Sequence, residues 1–212
     1  GDADGDTDVD SDADADADEE CYENIDIVFV LDVSTTMSFI LSTLESEIGE
    51  VWSAAQAIDD DPHFGLVVFV DDVLVVNDGT PYSSVEALQG DFQSWYTHTS
   101  SNQQTQSGAS NTDWPENSLD ALHAAATSFA WRDQTTTLRV VILATDDTFL
   151  EHPARFSSGI QAVHTYAETV STLQENLVRV AAFAARLGGS TGGTDVTPGF
   201  SADYRGNVSI PE

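Results

Sequence analysis

The chain has 212 residues and a formal net charge of −31, and it contains six arginines and no lysine. This length fits one ordinary domain with a tail, and the acidity excludes nucleic acid and anionic membranes as natural partners because both would repel it. No apolar run approaches the roughly 20 residues that a membrane-spanning helix needs, and Cys21 is the only cysteine, so an intrachain disulfide is excluded as well.

Residues 1–20 alternate Asp with small residues and end in Glu19-Glu20. Closely spaced like charges with almost no apolar mass cannot form a core, so we predict a disordered acidic linker over 1–20 and one domain over 21–212. Asp4-Gly5-Asp6 faintly resembles a calcium-loop repeat, but the glutamate and the flanking helices of an EF-hand are missing.

The first element of the domain is a nearly unbroken apolar run from Ile25 to Leu31, interrupted by Asp26, which predicts a strand buried on both faces. The elements predicted after it are helix 36–58, strands 63–71 and 73–76 as antiparallel neighbours, helix 83–97, a polar loop at 99–110, helix 116–131, strand 138–144, helix 161–175 and strand 177–184. After Ala184 we find no convincing last strand or closing helix, apart from a candidate short strand at 205–210. The pattern predicts a doubly wound, mostly parallel α/β sheet with one antiparallel edge strand and helices on both faces.

Oxygen-bearing side chains follow the predicted strands at three places. Asp32-x-Ser34-x-Thr36 ends the first strand, residues 110–116 precede a helix, and Asp146 closes the strand at 138–144. Ligands bind at the carboxyl ends of strands in open α/β sheets, and oxygen ligands suit a hard divalent cation. The alternatives are that the hydroxyls and acids before helices only cap them, and that acids after strands are only solvated.

These segments together resemble a von Willebrand factor A domain with its metal-ion-dependent adhesion site. The middle loop, Asn111-x-Asp113-x-Pro115-Glu116, resembles the I-like domain of integrin beta subunits more than the threonine-type loop of most A domains. Asp71, which ends the second predicted strand, also matches that pattern, and the resemblance covers about residues 25–185.

The resemblance implies two metal sites. The adhesion site, for Mg²⁺ or Mn²⁺, would comprise Asp32, Ser34, Thr36, Glu116 and Asp146. The neighbouring site, for Ca²⁺, would comprise Asp71, Asn111, Asp113 and Glu116 with the backbone carbonyl of Pro115. The third site of integrin beta subunits needs an acidic pair just beyond Met37, where this chain has Phe39 and Ile40, so we expect that site to be absent.

The function implied is a metal-dependent adhesion or ligand-binding module whose cation accepts an Asp or Glu of a protein partner. We expect no enzyme, no nucleic-acid binding, no insertion of the domain into a membrane and a monomer. We also expect an extracellular or surface location, with the acidic linker similar to those behind the anchor of bacterial surface lipoproteins. The alternatives are a hydrolase that uses Ser34 or the metal, and an intracellular scaffold of a chelatase or ATPase complex.

Two further residues are candidates for ligand contacts. Trp114 lies beside the predicted site, although it could equally pack against the start of the helix. His152 lies in the loop after Asp146, within reach of a ligand, and the five histidines have no zinc-like spacing. His123 falls on an alanine-rich helix, which favours a structural or surface role.

Overall fold

The computed structural model describes the backbone of residues 22–112, 114–187 and 194–198, and the side chains of residues 22–112 and 114–183. The predicted linker, Cys21, Asp113 and the candidate strand at 205–210 lie outside these ranges. The strands are β1 (Asn24–Asp32), β2 (His63–Phe69), β3 (Val73–Val75), β4 (Thr137–Thr145), β5 (Val178–Leu187) and β6 (Thr194–Pro198). The helices are α1 (Ser38–Gln56), α2 (Val85–Thr99), α3 (Ser118–Ser128) and α4 (Tyr166–Glu175), with short 3₁₀ turns at Thr35–Met37 and Val76–Gly79.

The strands form one sheet in the order β3-β2-β1-β4-β5-β6. β1 pairs in parallel with β2 and β4, and β4 pairs in parallel with β5. β3 runs antiparallel to β2, as the short connection between them predicts. The predicted doubly wound, mostly parallel sheet is thus confirmed, and β6 adds a second antiparallel edge that the sequence analysis did not find.

The central strand β1 carries a separate hydrophobic core on each face of the sheet. Phe29 and Leu31 pack with α1 and α2, and the ring of Phe29 meets that of Phe92 edge-on at 5.3 Å between centroids. Val28 and Val30 pack with α3 and α4 on the opposite face. Successive side chains of a strand point to opposite faces, so the apolar run of residues 27–31 contributes side chains to both layers of helices.

Helices α3 and α4 begin later than their sequence patterns predict. The backbone N–H of Glu116 donates to the carbonyl of Thr148 at 2.8 Å, which keeps this residue outside α3. Thr165 caps α4 reciprocally with Glu168, so that helix begins at Tyr166. Among the helices of the described residues, none is both long enough and apolar enough to cross a membrane.

A polar cluster fixes the amino-terminal edge of the sheet. Asp26 is fully buried in β1, and its carboxylate accepts hydrogen bonds from the backbone N–H and the Nε of Arg132 at 2.8 and 2.7 Å. The same guanidinium donates to Asp59 at 2.9 Å and to the carbonyl of Ile25 at 2.7 Å. The hydrogen bonds from Arg132 compensate the two buried carboxylates for their loss of contact with water. The predicted metal site lies at the opposite, carboxyl-terminal edge of the sheet.

Candidate metal centre

Asp32 occupies the end of the central strand and is fully buried. Its Oδ1 accepts a hydrogen bond from the backbone N–H of Ser34 at 2.8 Å, and its Oδ2 accepts one from the hydroxyl of Thr145 at 2.9 Å. Thr145 is the last residue of β4, the strand beside β1. The ends of both strands are therefore joined through one carboxylate.

The hydroxyls of Ser34 and Thr36 lie 3.3 Å apart and continue this arrangement. Ser34 precedes the 3₁₀ turn but its side chain makes no capping hydrogen bond, so helix capping does not explain the residue. Thr36 hydrogen-bonds the carboxylate of Asp146, which follows β4. Asp32, Ser34, Thr36 and Asp146 thus form one polar cluster between two adjacent strand ends.

Glu116 is 3% exposed and lies just before α3 rather than within its first turn. Its Oε1 accepts a hydrogen bond from the side-chain amide of Asn111 at 2.9 Å. The interpretation of Glu116 as a helix cap is therefore wrong, because its carboxylate turns to the loop and its N–H bonds Thr148. Among the described residues, Oε2 of Glu116 and Oδ1 of Asn111 have no hydrogen-bond partner although both are buried.

The carboxylates at this edge raise one another's pKa values. Burial, followed by the charge of Asp146, raises the pKa of Asp32 to about 7. Burial and then the charge of Asp32 raise the pKa of Glu116 to about 11, with further contributions from Asp71 and Asp147. Burial also raises the pKa of Asp146. Such crowding is unfavourable in the ionised state unless a positive charge joins the cluster.

Asp71 is the second acidic strand end of the predicted site, and it is fully buried rather than solvated. Its backbone N–H donates to Oε1 of Gln104 at 2.8 Å, and its carbonyl accepts from the amide of Asn117 at 2.9 Å. The backbone N–H of Asn117, which follows Glu116, donates to the carbonyl of Val70 at 2.8 Å, so Asp71 and Glu116 lie on adjoining backbone segments. The charge of Asp71 raises the pKa of Glu116. Pro115 is half-buried beside Glu116, and Asp113 lies outside the described residues.

The described residues contain no group of three His, Cys, Asp or Glu side chains that could hold a metal ion by themselves. A cation here would therefore need the hydroxyls of Ser34 and Thr36 as well as carboxylates. Mixed hydroxyl, carboxylate and water coordination is what Mg²⁺ accepts. The unpartnered buried oxygens of Asn111, Glu116 and Asp146 fit this need for a cation, because buried polar atoms otherwise cost free energy.

Polar residues that the sequence analysis passed over hold the neighbouring loop in place. Gln104 is only 1% exposed, and its Oε1 accepts the N–H groups of both Asp71 and Asp72. Asp72 in turn accepts hydrogen bonds from the N–H and the hydroxyl of Thr105, both at 2.6 Å. The sequence of this loop has no apolar run, so it predicts no contribution to the core. The burial of Gln104 could not be predicted because a single buried glutamine leaves no periodic pattern.

The histidines near this edge have mainly structural contacts. His164 pairs with Asp120 at 2.8 Å, and its ring stacks on that of His123 at 3.6 Å between centroids. Nδ1 of His152 lies 3.2 Å from the carbonyl of Ala162, in its own loop. Trp114 is 66% exposed, so most of its side chain is accessible at the surface beside the candidate centre.

Known structures share this fold at low sequence identity. Proximal thread matrix protein 1 from the mussel byssus, in a structure described as having a zinc-occupied MIDAS motif, is 18% identical with a TM-score of 0.50. The match covers 77% of this chain and 36% of the mussel chain, so this chain spans about a third of that protein. A conserved hypothetical protein, BatB from Bacteroides thetaiotaomicron, is 14% identical with a TM-score of 0.48, over 82% of this chain and 80% of that one.

The likeness to the mussel protein concerns the fold, and it supports the von Willebrand A-like architecture predicted from the sequence. No protein-family profile matches the chain. No curated protein matches it either. These comparisons therefore identify the fold of the domain but neither its metal ligands nor its partner.

Proposed function

We propose that this domain is a metal-dependent adhesion or ligand-binding module. The observation that carries the proposal is the crowding of Asp32, Asp146 and Glu116 at one edge of the sheet, where burial raises the pKa of each. Without a ligand these buried groups must be partly protonated, whereas a bound cation compensates them in their ionised form. A divalent cation bound there would keep part of its charge for a carboxylate from another molecule.

The oxygen-only donors favour a hard cation. We assign Mg²⁺ or Mn²⁺ to the adhesion site formed by Asp32, Ser34, Thr36, Glu116 and Asp146. We assign Ca²⁺ to the neighbouring site formed by Asp71, Asn111, Asp113, Glu116 and the carbonyl of Pro115. The zinc in the MIDAS motif of the mussel protein supports a divalent ion in this position, while carboxylate and hydroxyl ligands suit Mg²⁺ and Mn²⁺ better than zinc.

The domain acts by binding rather than by catalysis in this proposal. Among the described residues, the hydroxyl of Ser34 contacts that of Thr36, and no histidine bonds it as a general base would. We further propose an extracellular monomer, displayed on its acidic segment, that binds a protein offering Asp or Glu. The extracellular setting agrees with the acidic surface and the absence of lysine.

Calorimetric titration of Mg²⁺ and Ca²⁺ tests the proposal. We expect the wild type to bind both ions at separate sites. Asp146→Ala should abolish the Mg²⁺ site because it removes one carboxylate of the adhesion cluster, and Asp113→Ala should abolish the Ca²⁺ site. Weak binding by the Asp-rich residues 1–20 should be the same in every variant.

Asp60→Ala is the matched control, because Asp60 is an exposed aspartate that follows α1 and lies outside the cluster. It removes the same charge and should leave both sites intact. Unchanged titrations in Asp146→Ala and Asp113→Ala would overturn the metal assignment. Loss of binding in all three variants would show that only general electrostatic attraction is measured.

A further inference from the structure

The surface next to the candidate metal centre is unlike the rest of this acidic chain. Residues 92–112 contain no Asp or Glu, although the chain has 37 acidic residues, and this is its longest stretch without one. Residues 152–167 contain none either. Both stretches provide loops at the carboxyl-terminal edge of the sheet.

The first loop contacts the candidate site directly. The hydroxyl of Thr35 donates to Oδ1 of Asn102 at 3.1 Å, and the amide of Asn102 donates to the carbonyl of Asn111 at 2.9 Å. Asn111 then donates to Glu116. The uncharged loop of residues 100–112 is thereby held against both halves of the predicted adhesion site.

The second loop lies beside the first. The hydroxyls of Thr112 and Ser157 are 2.6 Å apart. Residues 154–162 form a small hairpin through an antiparallel bridge between Arg155 and Gln161, and the buried Phe156 anchors it. Residues two apart are separated by at most about 7 Å along the chain, so Arg155 lies close to the surface of the first loop.

Arg155 is the basic residue of this surface. It is exposed, and its guanidinium donates to the carbonyl of Gly159 at 2.9 Å. None of the ion pairs formed within the described residues involves it. The other arginines with described side chains contact groups at the amino-terminal edge: Arg132 pairs with Asp26, Arg139 donates to the carbonyl of Asn176, and Arg179 lies over the ring of Tyr22.

We propose that residues 100–112 and 154–162 form the docking surface for the partner, and that Arg155 binds a second carboxylate of it. This inference rests on the proposed function and makes it more specific: the partner presents an acidic segment, not a single acid among basic residues. One carboxylate would reach the cation and a neighbouring one Arg155. A basic flank would instead meet Arg155. Asp72 contacts the first loop, but its carboxylate accepts hydrogen bonds from the backbone N–H groups of residues 105–107. The two loops add no acid of their own, so they spare an acidic segment part of the repulsion that the rest of the chain would exert.

Fluorescence anisotropy with two labelled peptides tests this inference. One probe carries a single Glu in a Gly/Ser sequence, and the other carries three consecutive Glu residues in the same sequence. At low ionic strength with Mg²⁺, we expect the wild type to prefer the three-Glu probe by about two- to fivefold beyond the statistical factor of about three that its three carboxylates give at one cation site, the range of an exposed ion pair. Arg155→Gln should reduce the preference to this statistical factor, and Arg155→Glu should reduce it further.

Arg179→Gln is the control, since it removes the same charge at the far edge of the sheet and should keep the preference. Calorimetry with Mg²⁺ on the same variants separates this inference from the proposed function. If Mg²⁺ binds but Arg155→Gln keeps the preference, or neither probe binds, the inference is overturned while the metal site stands. If Mg²⁺ does not bind to the wild type, the proposed function fails and this inference fails with it.

Discussion

Replacement of Glu116 by glutamine separates the charge of this side chain from its hydrogen bond. Without a cation, the pKa of about 11 means that Glu116 is protonated and neutral at pH 7. The carbonyl oxygen of glutamine can accept the hydrogen bond that Asn111 donates at 2.9 Å. We therefore expect Glu116→Gln to stabilise the metal-free domain at pH 7 by up to about 3 kcal/mol, because the folded state no longer has to keep a proton that the unfolded chain loses above its ordinary pKa of 4.5, at about 1.4 kcal/mol per pH unit.

The same substitution should remove most of the stabilisation by Mg²⁺. An ion present at about 100 times its dissociation constant stabilises the folded state by about 2.7 kcal/mol. For a domain of this size, about 1 kcal/mol corresponds to roughly 2–4 °C in Tm. The wild type should therefore gain about 5–10 °C with Mg²⁺, and Glu116→Gln should gain only a small part of this shift, because glutamine cannot supply the anionic ligand.

Thermal unfolding followed by circular dichroism at pH 7, with Mg²⁺ and with a chelator, measures both effects. Glu50→Gln is the control because Glu50 is exposed on α1 and loses the same charge. It should respond to Mg²⁺ like the wild type. A full Mg²⁺ shift in Glu116→Gln would refute the role of this carboxylate as a ligand, and a large loss of metal-free stability would refute its neutral state.

Three further predictions concern stability. Because the pKa of Asp32 is raised from 3.8 to about 7 in the folded state, this group alone should cost the metal-free domain up to about 4 kcal/mol of unfolding free energy as the pH rises from about 4 to 7, at about 1.4 kcal/mol per unit, and Glu116 adds to this loss; denaturation at several pH values measures it. Arg132→Met should cost about 3–5 kcal/mol in urea unfolding, because it leaves the buried Asp26 without its cation. Gly79→Ala should cost several times more than Gly108→Ala, since both glycines have positive φ but only at Gly79 would a Cβ meet the carbonyl oxygen of the last residue of α3; thermal unfolding compares them.

Each of these predictions has a control or a contrary outcome. Asp32→Asn should remove the part of the pH dependence that is due to Asp32 and leave the part that is due to Glu116, whose pKa is also raised, and an unchanged slope would contradict the role of Asp32. Arg179→Met removes an exposed charge for comparison with Arg132→Met, and equal losses would contradict the buried pairing. Equal losses in the two glycine variants would mean that backbone strain alone, about 1–2 kcal/mol per residue, accounts for Gly79.

The elements with strong periodicity could be predicted from the sequence, and so could the proximity of Asp32, Ser34 and Asp146 at neighbouring strand ends. An apolar run such as Ile25–Leu31 has one favourable position, between two layers of helices, and the structure places it there. The start of α3 could not be predicted, because the N–H of Glu116 bonds a residue that follows another strand. β6 was missed because a short polar strand that ends in proline has no pattern of its own.

The sequence by itself determined the alternation of strands and helices, the antiparallel β3 and the oxygen-bearing residues at the strand ends, since these follow from local periodicity and spacing. Only the tertiary structure decided which polar groups meet. Arg132 and Asp26 are 106 residues apart, and Thr145 and Asp32 are 113 apart, yet each pair shares a hydrogen bond. The physical reason is that burial and its effect on pKa depend on neighbours brought together by the sheet order, which no local pattern records.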